Sequence, residues 1–262
     1  MIQLCYKAWL ETRTRFIVGL VALCSLSFVV VLFHPSAMER MEGWARLHPT
    51  VYRPWWMDRE LHDYVFYIWH RHFGGWFRDG WIVSAVLLGV GGLTQECVRG
   101  SVAFSLSLPM RRKRFAFAYT LVASIELLIL ALGPVLIVPA LSAFVGSSYD
   151  PNEALSRGMI LFAGGLIVFG FTSMVATAVE SQSVPVIIGI ASVIALGVIV
   201  SPFGYSKNEP VAIQAIDLFR LISGPPDLRW NSVPWVGLVV SAALFGCLLS
   251  ATSKVSEVRD YR

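Results

Sequence analysis

The chain has 262 residues, of which 56% are hydrophobic and 15% are charged, and its formal net charge is +4. Because soluble domains carry about 25% charged residues, this composition excludes an ordinary soluble protein and indicates an integral membrane protein. The excess of cations does not indicate a nucleic-acid-binding protein, because most of the cations flank apolar stretches, where such residues set the orientation in the membrane.

Residues 1–15 form the first predicted element, an amphipathic helix. Apolar residues recur in it at helical spacing, whereas Lys7, Glu11 and Arg15 stand at positions i, i+4 and i+8 on another face. This pattern is typical of a helix that lies in the membrane interface. We therefore expect residues 1–15 to lie along the cytosolic surface and then to bend into the first transmembrane span.

Six apolar segments follow, and each is predicted to cross the membrane. A helix needs about 20 apolar residues to span the hydrocarbon core. The segments that reach or approach this length are residues 16–33, 81–98, 115–145, 159–179, 184–200 and 233–251. The third is too long for one straight crossing and contains Pro134 and Pro139, so we expect a kink or a break near its outer end. The sequence thus predicts an all-α integral membrane protein, with six transmembrane helices in one domain, residues 16–262.

The distribution of the cations predicts the orientation of these spans. With the N-terminus in the cytosol, the short cytosolic segments carry more cations than acids, whereas the outer segments do not. This asymmetry is the positive-inside pattern of membrane proteins. We therefore expect a multi-pass protein of a bacterial-type inner (cytoplasmic) membrane, with both termini in the cytosol.

Two predicted outer loops are long enough to contain helices of their own. The first, residues 34–80, contains all five histidines and most of the nine tryptophans, and residues 61–71 are predicted to form a short helix. The second, residues 201–232, is predicted to contain an interfacial or re-entrant helix at residues 212–222.

The histidines of the first loop leave one enzymatic alternative open. His62, His70 and His72 would be the ligands of an outer-face metalloenzyme. Residues i and i+2 share a face on a strand but not on a helix, and this segment is predicted to be helical. We therefore expect no metal site, and favour an amphipathic loop at the level of the lipid headgroups.

Between the second and third predicted spans lies a segment that combines three signals. Glu96 ends one apolar stretch, a short amphipathic piece at residues 99–110 follows, and four consecutive cations open the next span. Gly100 permits a tight turn, and Pro109 ends the short helix. The cations are predicted to anchor the third span at anionic headgroups; they are Arg111, Arg112, Lys113 and Arg114.

The order of residues in this segment carries a family resemblance. The residues concerned are Glu96, Gly100, Leu106, Ser107, Leu108, Pro109 and Arg112. Their order resembles the cytosolic linker of ABC-2-type transporter permeases, the transmembrane subunits of ATP-binding-cassette exporters, and the predicted order of helices is similar to that family as well. Ser101 stands where the family often has threonine, and the long tryptophan-rich first loop is a larger departure.

The resemblance implies a coupling helix at residues 99–110 that docks on an ATPase subunit. The residues that it implies for this contact are Glu96, Arg99, Gly100, Val102, Phe104, Leu106, Leu108 and Pro109. None of the four lysines of the chain stands in a Gly-Lys-Ser/Thr phosphate-binding loop, so the chain is not predicted to be an enzyme or to bind a cofactor. ATP and Mg would then bind two copies of a separate cytosolic ATPase subunit.

The expected partners beyond the ATPase follow from the same resemblance. A second copy of the chain or a homologous permease would complete the translocation path, the lipid bilayer would surround it, and no nucleic acid is involved. One further alternative stays open, namely a non-catalytic membrane scaffold or an immunity-type protein.

Glu126 is an ionisable residue in the interior of the third span. On insertion scales, a charge at such a depth costs roughly 2.5–3.5 kcal/mol unless it faces protein or water. Two interpretations are open. Glu126 lines the translocation path, where it would bind a cationic substrate, or it is a protonated or hydrogen-bonded residue between helices, with Ser124 or Thr172 as the expected partner.

Overall fold

The computed structural model of the protein describes residues 1–48, 52, 54–91, 112–179, 181, 183–200, 222, 224 and 235–258. Within these ranges the regular elements are all helical. They are α1 (Ile2–Leu32), α2 (His34–Leu47), α3 (Trp55–His62), α4 (Tyr64–Ile68), a π-helical turn (Trp69–Phe73), α5 (Trp76–Gly89), α6 (Arg112–Ser142), a 3-10 turn (Ala143–Val145), α7 (Pro151–Ala178), α8 (Ser183–Val200) and α9 (Trp235–Val258).

Four of these helices are long and apolar enough to cross a membrane. They comprise Ile2–Leu32, Arg114–Val145, Pro151–Ala178 and Gly237–Val255, and they overlap the first, third, fourth and sixth predicted spans. The prediction of an all-helical chain with several potential membrane spans is therefore confirmed. The remaining two crossings and the ABC-2 topology stay predictions.

The second predicted span, residues 81–98, is represented by α5, which begins at Trp76 and ends at Gly89. With 14 residues, α5 is about 21 Å long at 1.5 Å per residue, which is shorter than the hydrocarbon core of about 30 Å. Residues 92–98, which would complete this span, lie outside the described residues. The fifth predicted span corresponds to α8, which has 18 residues.

A single helix, α1, covers both the predicted interfacial helix and the first span. Its buried side chains recur at four-residue intervals at one end and again at the other; they are Leu4, Ala8, Thr12, Phe16, Leu23, Ser27 and Val31. This stripe packs on α6 and α5. The expected division after residue 15 is not present in the structure, because Thr12 and Phe16 continue the same buried stripe across it.

Helix α6 contains both of the prolines that were expected to interrupt the third span. It continues through Pro134 and Pro139 to Ser142 and then passes into the 3-10 turn. A break at these prolines is therefore not present, whereas a kink stays a prediction. Proline removes one backbone hydrogen bond, and membrane helices tolerate that loss where neighbouring helices enclose the site. Here α1 and α7 pack along α6, and Val135 and Val138 beside the prolines are buried.

The described residues of the predicted first outer loop, residues 34–80, are largely helical. The predicted helix at residues 61–71 is present, but it is divided at Asp63, whose carboxylate accepts a hydrogen bond from the backbone N–H of Phe66 at 3.1 Å. Asp63 is thus the N-cap of a new helix. The predicted outer helix at residues 212–222 lies outside the described residues, except for Ile222, which is buried.

The centre of the bundle is built around Trp81 on α5, which is fully buried. The ring approaches α7 at Gly165, where a Cβ atom would lie 2.6 Å from Cζ2 of Trp81. Contacts below 3 Å are not tolerated, so any side chain at residue 165 would force the indole away from its position. Gly165 is therefore required by a close helix approach, as in other membrane bundles.

Gly165→Ala should destabilise the protein by about 1–3 kcal/mol, because it overpacks the site of Trp81. Gly246→Ala on α9 is the matched control, since no atom of the described residues outside its own helical turn lies within 4 Å of the position of its Cβ. The measurement is the midpoint of thermal unfolding of both variants in the same detergent. Equal midpoints for the two variants would show that Trp81 does not pack on α7 in this way.

Candidate functional site

The predicted coupling residues lie outside the described residues. They are Glu96, Arg99, Gly100, Val102, Phe104, Leu106, Leu108 and Pro109, and Arg111 of the predicted anchor lies outside as well. The backbone of Arg112 and Lys113 belongs to the first turn of α6, and Arg114 in the same turn is exposed. The structure therefore describes the helix before the predicted linker, α5, and the helix after it, α6.

The end of α5, the last described helix before the predicted linker, is held by side chains of two other helices. Arg15 on α1 donates through Nη1 to the carbonyl oxygen of Leu87 at 3.0 Å and to that of Val90. Tyr119 on α6 donates through its hydroxyl to the carbonyl oxygen of Leu88 at 2.8 Å. We call these hydrogen bonds the α5 clamp.

The α5 clamp has a clear physical basis. The last carbonyls of a helix have no intrahelical donor, so they accept hydrogen bonds from side chains. A cation is also favourable at the negative end of the helix dipole. Directly after the clamp, a Cβ atom at Gly91 would lie 1.7 Å from the Tyr119 hydroxyl, so only glycine fits beside it. Helices α1 and α6 thus fix the position of the end of α5, the last described helix before the predicted linker.

Next to the α5 clamp, the carboxyl group of Glu126 is buried between α6 and α1. The residue is 2% exposed, and its Oε1 lies 2.5 Å from the hydroxyl oxygen of Thr12. The expected partner was wrong, because Thr172 donates instead to the carbonyl oxygen of Val168 on its own helix at 2.9 Å. Thr12 was missed because residues 1–15 were predicted to lie in the interface, although the four-residue spacing of Ala8, Thr12 and Phe16 could have placed it in the bundle.

The charged face of the first residues is turned inward, toward α5 and α6. Lys7 places its ammonium 5.4 Å from the ring centroid of Phe115, and Lys7, Glu11 and Arg15 are all partly buried. The apolar Ile2 and Tyr6 are exposed instead. The candidate functional site is therefore a polar cluster, which we define as Glu11, Thr12, Arg15, Tyr119 and Glu126, enclosed by three helices beside the start of the linker.

The structure does not bring the three candidate metal ligands together. His62 Nδ1 lies 2.8 Å from the carbonyl oxygen of Asp58 within its own helix. His70 bonds to Glu60. His72 is buried, with Nε2 3.3 Å from the hydroxyl of Ser27. In the part of the chain that the structure describes, no group of three or more potential ligands is close enough to hold a metal ion.

Two buried glutamates are bound by cations at the opposite end of the bundle. Arg157 on α7 is 1% exposed and donates to Oε1 of Glu153 through Nη2 at 2.6 Å and to the Tyr149 hydroxyl through Nε at 2.9 Å. Glu60 on α3 accepts hydrogen bonds from Arg71 and His70. Burial opposes ionisation of Glu60, but these two partners outweigh it and hold its pKa below the usual value.

His72 makes the stability of this end depend on pH. Burial, with a smaller contribution from the charge of Arg157, lowers the pKa of His72 from 6.5 to about 3. Protonation of His72 then favours the unfolded chain. The contribution of His72 to the free energy of unfolding should therefore be fully present above pH 6.5 and should be lost as the pH decreases toward 3. The groups around the ring are Ser27 on α1, Arg157 with Glu153 on α7, and Phe77.

His72→Asn should remove the contribution of His72 to this dependence between pH 6.5 and about 5, a window above the range in which ordinary exposed carboxylates titrate. The measurement is the unfolding midpoint of the purified protein as a function of pH. His62→Asn is the control, since His62 is exposed, and it should keep the slope of the wild type. The same slope in His72→Asn as in the wild type would contradict the prediction.

In comparisons with known proteins, no family model, curated protein or solved structure matches the chain. The class defined by the fold is a helical protein with four helices long and apolar enough to cross a membrane. Its candidate site is the polar cluster beside the linker. The resemblance to ABC-2 permeases therefore depends on the sequence of the linker and on the predicted order of helices.

Proposed function

We propose that the protein is the membrane-spanning permease subunit of an ATP-binding-cassette transporter, acting as an exporter. It would form the translocation path together with a second copy or a homologous permease. ATP would be hydrolysed by separate subunits that dock on residues 96–109. The observation that carries this proposal is the α5 clamp, which joins the end of α5, the last described helix before the linker, to two other helices of the bundle.

A coupling element needs a stiff connection to the helices that it moves. The described part of the chain stops at Gly91, just after α5, and resumes at Arg112, the first residue of α6, and the predicted linker lies between these two residues. Arg15 and Tyr119 bind the end of α5 to α1 and α6. A displacement of the linker by an ATPase would therefore reach α5 and α6 on either side of it and, through the α5 clamp, α1 as well.

The inward-facing charges support the same interpretation. A plain membrane anchor would place Lys7, Glu11 and Arg15 in water or at headgroups, where the charges stay hydrated and no free energy of desolvation is lost. Here they are partly buried against α5 and α6. Burial of charge is unfavourable unless specific partners compensate for it, so a cluster of this kind indicates a role beyond anchoring.

The proposal is tested by purifying the tagged chain from its native membranes in a mild detergent. We expect an ATPase subunit with a Gly-Lys-Ser/Thr loop to co-purify and to hydrolyse ATP. Leu108→Asp should reduce its recovery at least about tenfold, a change of about 1.4 kcal/mol in binding. Arg40→Ala on α2 is the control and should leave the recovery unchanged. Absence of an ATPase, or equal recovery with Leu108→Asp, would refute the proposal.

A further inference from the structure

Three glutamates that the structure describes are buried, and they differ in their partners. Glu60 is 1% exposed and is bound by Arg71 and His70. Glu153 is 9% exposed and is bound by Arg157. Glu126 is 2% exposed, and within the described residues its Oε1 bonds only to the hydroxyl of Thr12, while its Oε2 has no hydrogen-bond partner. Of the three, Glu126 alone lacks a cation.

The helices packed against α6 are α1, α5, α7 and α9, and they, like the neighbouring α8, supply few charges that could compensate for ionisation of Glu126. No titratable side chain occurs in residues 81–91 of the α5 end, 158–178 of α7 or 183–200 of α8. On α9, the only one in residues 235–253 is Cys247, which is exposed. On α6, Tyr119 donates to the carbonyl of Leu88.

The titratable groups of α1 near this level are Lys7, Glu11 and Arg15. Arg15 donates to the carbonyl oxygens of Leu87 and Val90, and Lys7 lies over the ring of Phe115. Glu11 is itself an acid and would repel a second negative charge. An ionised Glu126 would therefore be a buried charge without a bonded cation, which is strongly unfavourable in a bundle interior.

The hydrogens available at Thr12 are compatible with a protonated Glu126. Its Oγ1 lies 3.1 Å from the carbonyl oxygen of Ala8 as well as 2.5 Å from Oε1 of Glu126. A hydroxyl has one hydrogen, and threonine within a helix commonly donates it to the carbonyl four residues earlier. When Thr12 donates to Ala8, the short contact with Oε1 needs a hydrogen from Glu126, which a carboxylic acid supplies and a carboxylate does not.

We propose that Glu126 is a proton-binding site, occupied while α1 packs against α6 and emptied when the two helices separate. On separation, water reaches the carboxyl group, the O–H bond of Glu126 breaks, the proton passes to a water molecule, and the carboxylate is hydrated. Because the ionised form needs water and the protonated form does not, proton binding and helix contact are thermodynamically linked. This inference does not depend on the proposed transport function.

Infrared spectroscopy of the full-length protein in lipid nanodiscs tests the protonation. The carbonyl stretch of a protonated carboxylic acid should be present at pH 7 in the wild type and lost in Glu126→Gln, which keeps the shape of the neutral acid. Glu153→Gln is the matched control and should retain the band, because Glu153 is paired with Arg157. A band that is absent from the wild type, or unchanged in Glu126→Gln, would overturn the proposal.

The link to helix packing is tested by spin labels on α1 and α6. Tyr6→Cys and Phe117→Cys, both at exposed positions, are combined in a background without the four native cysteines. We expect the distance between the labels to lengthen as the pH rises in the wild type and to stay constant in Glu126→Gln. A pH response of equal size in Glu126→Gln would show that another group controls the contact.

Discussion

Replacing Arg157 with methionine is expected to destabilise the protein by about 3–5 kcal/mol, the usual effect of removing one partner from a buried ion pair. The guanidinium donates to Glu153 at 2.6 Å and to Tyr149 at 2.9 Å, and its Cζ lies 5.2 Å from the ring centroid of Phe73. Methionine retains much of the aliphatic volume of arginine, so the loss would come from the uncompensated carboxylate of Glu153. The measurement is the unfolding midpoint of the variant in the detergent used for the wild type.

A second ion pair of the same spacing provides the control. Arg46 donates to Glu42 at 3.0 Å, also between positions i and i+4 of a helix, but the two side chains are 80% and 55% exposed. Exposed pairs of this kind contribute little to stability, so Arg46→Met should leave the midpoint nearly unchanged. The double variant Glu153→Gln/Arg157→Met should be more stable than Arg157→Met alone, because no charge is left buried. A double variant that is less stable would contradict this explanation.

The pair of Glu153 and Arg157 also illustrates what could be read from the sequence. The fourth span was predicted to begin at residue 159, because an apolar window excludes charged residues. The helix in fact begins at Pro151, with Asp150 as its N-cap accepting a hydrogen bond from the N–H of Asn152 at 2.9 Å. Aspartate followed by proline is a recognised start of a helix. That signal could have placed both charged residues inside α7.

Apolar windows predicted the existence of the long helices well but located polar residues poorly. The helical class and four of the spans follow from hydrophobicity alone, since a bilayer-spanning backbone must satisfy its own hydrogen bonds. The partner of Glu126 does not follow from it. Thr12 meets Glu126 because two helices far apart in the sequence pack side by side, and this pairing is decided by tertiary packing, which no local pattern contains.

The polar cluster also changes the meaning of the first residues of the chain. An amphipathic pattern does not say whether the polar face meets water or another helix. In α1 the answer comes from the buried stripe of Thr12 and Phe16, which brings Arg15 to the end of α5. Arg15, one of the residues that were predicted to hold the helix at the membrane surface, therefore binds the end of α5.

Arg15→Ala is expected to disconnect the linker from α1 while the ATPase stays bound. Hydrogen bonds from a charged donor contribute about 1.5–3 kcal/mol each, and Arg15 makes two of them to the end of α5. A loss of about 1.4 kcal/mol is enough to change a conformational equilibrium by a factor of ten. In the purified complex, ATP should shift the distance between labels at residues 6 and 117 in the wild type, and the shifted population should be about tenfold smaller in Arg15→Ala.

The neighbouring arginine on α1 makes this test specific to the α5 clamp. Arg13 is exposed, so Arg13→Ala removes the same charge from the same helix and should retain the ATP-dependent shift. Tyr119→Phe removes only the bond to Leu88, at 2.8 Å, and should give an intermediate loss. Equal behaviour of Arg13→Ala and Arg15→Ala would mean that the charge of α1 matters and the clamp does not. A graded order, with Arg15→Ala most affected, then Tyr119→Phe and then Arg13→Ala, is the outcome expected if the end of α5 transmits the motion of the linker to the bundle.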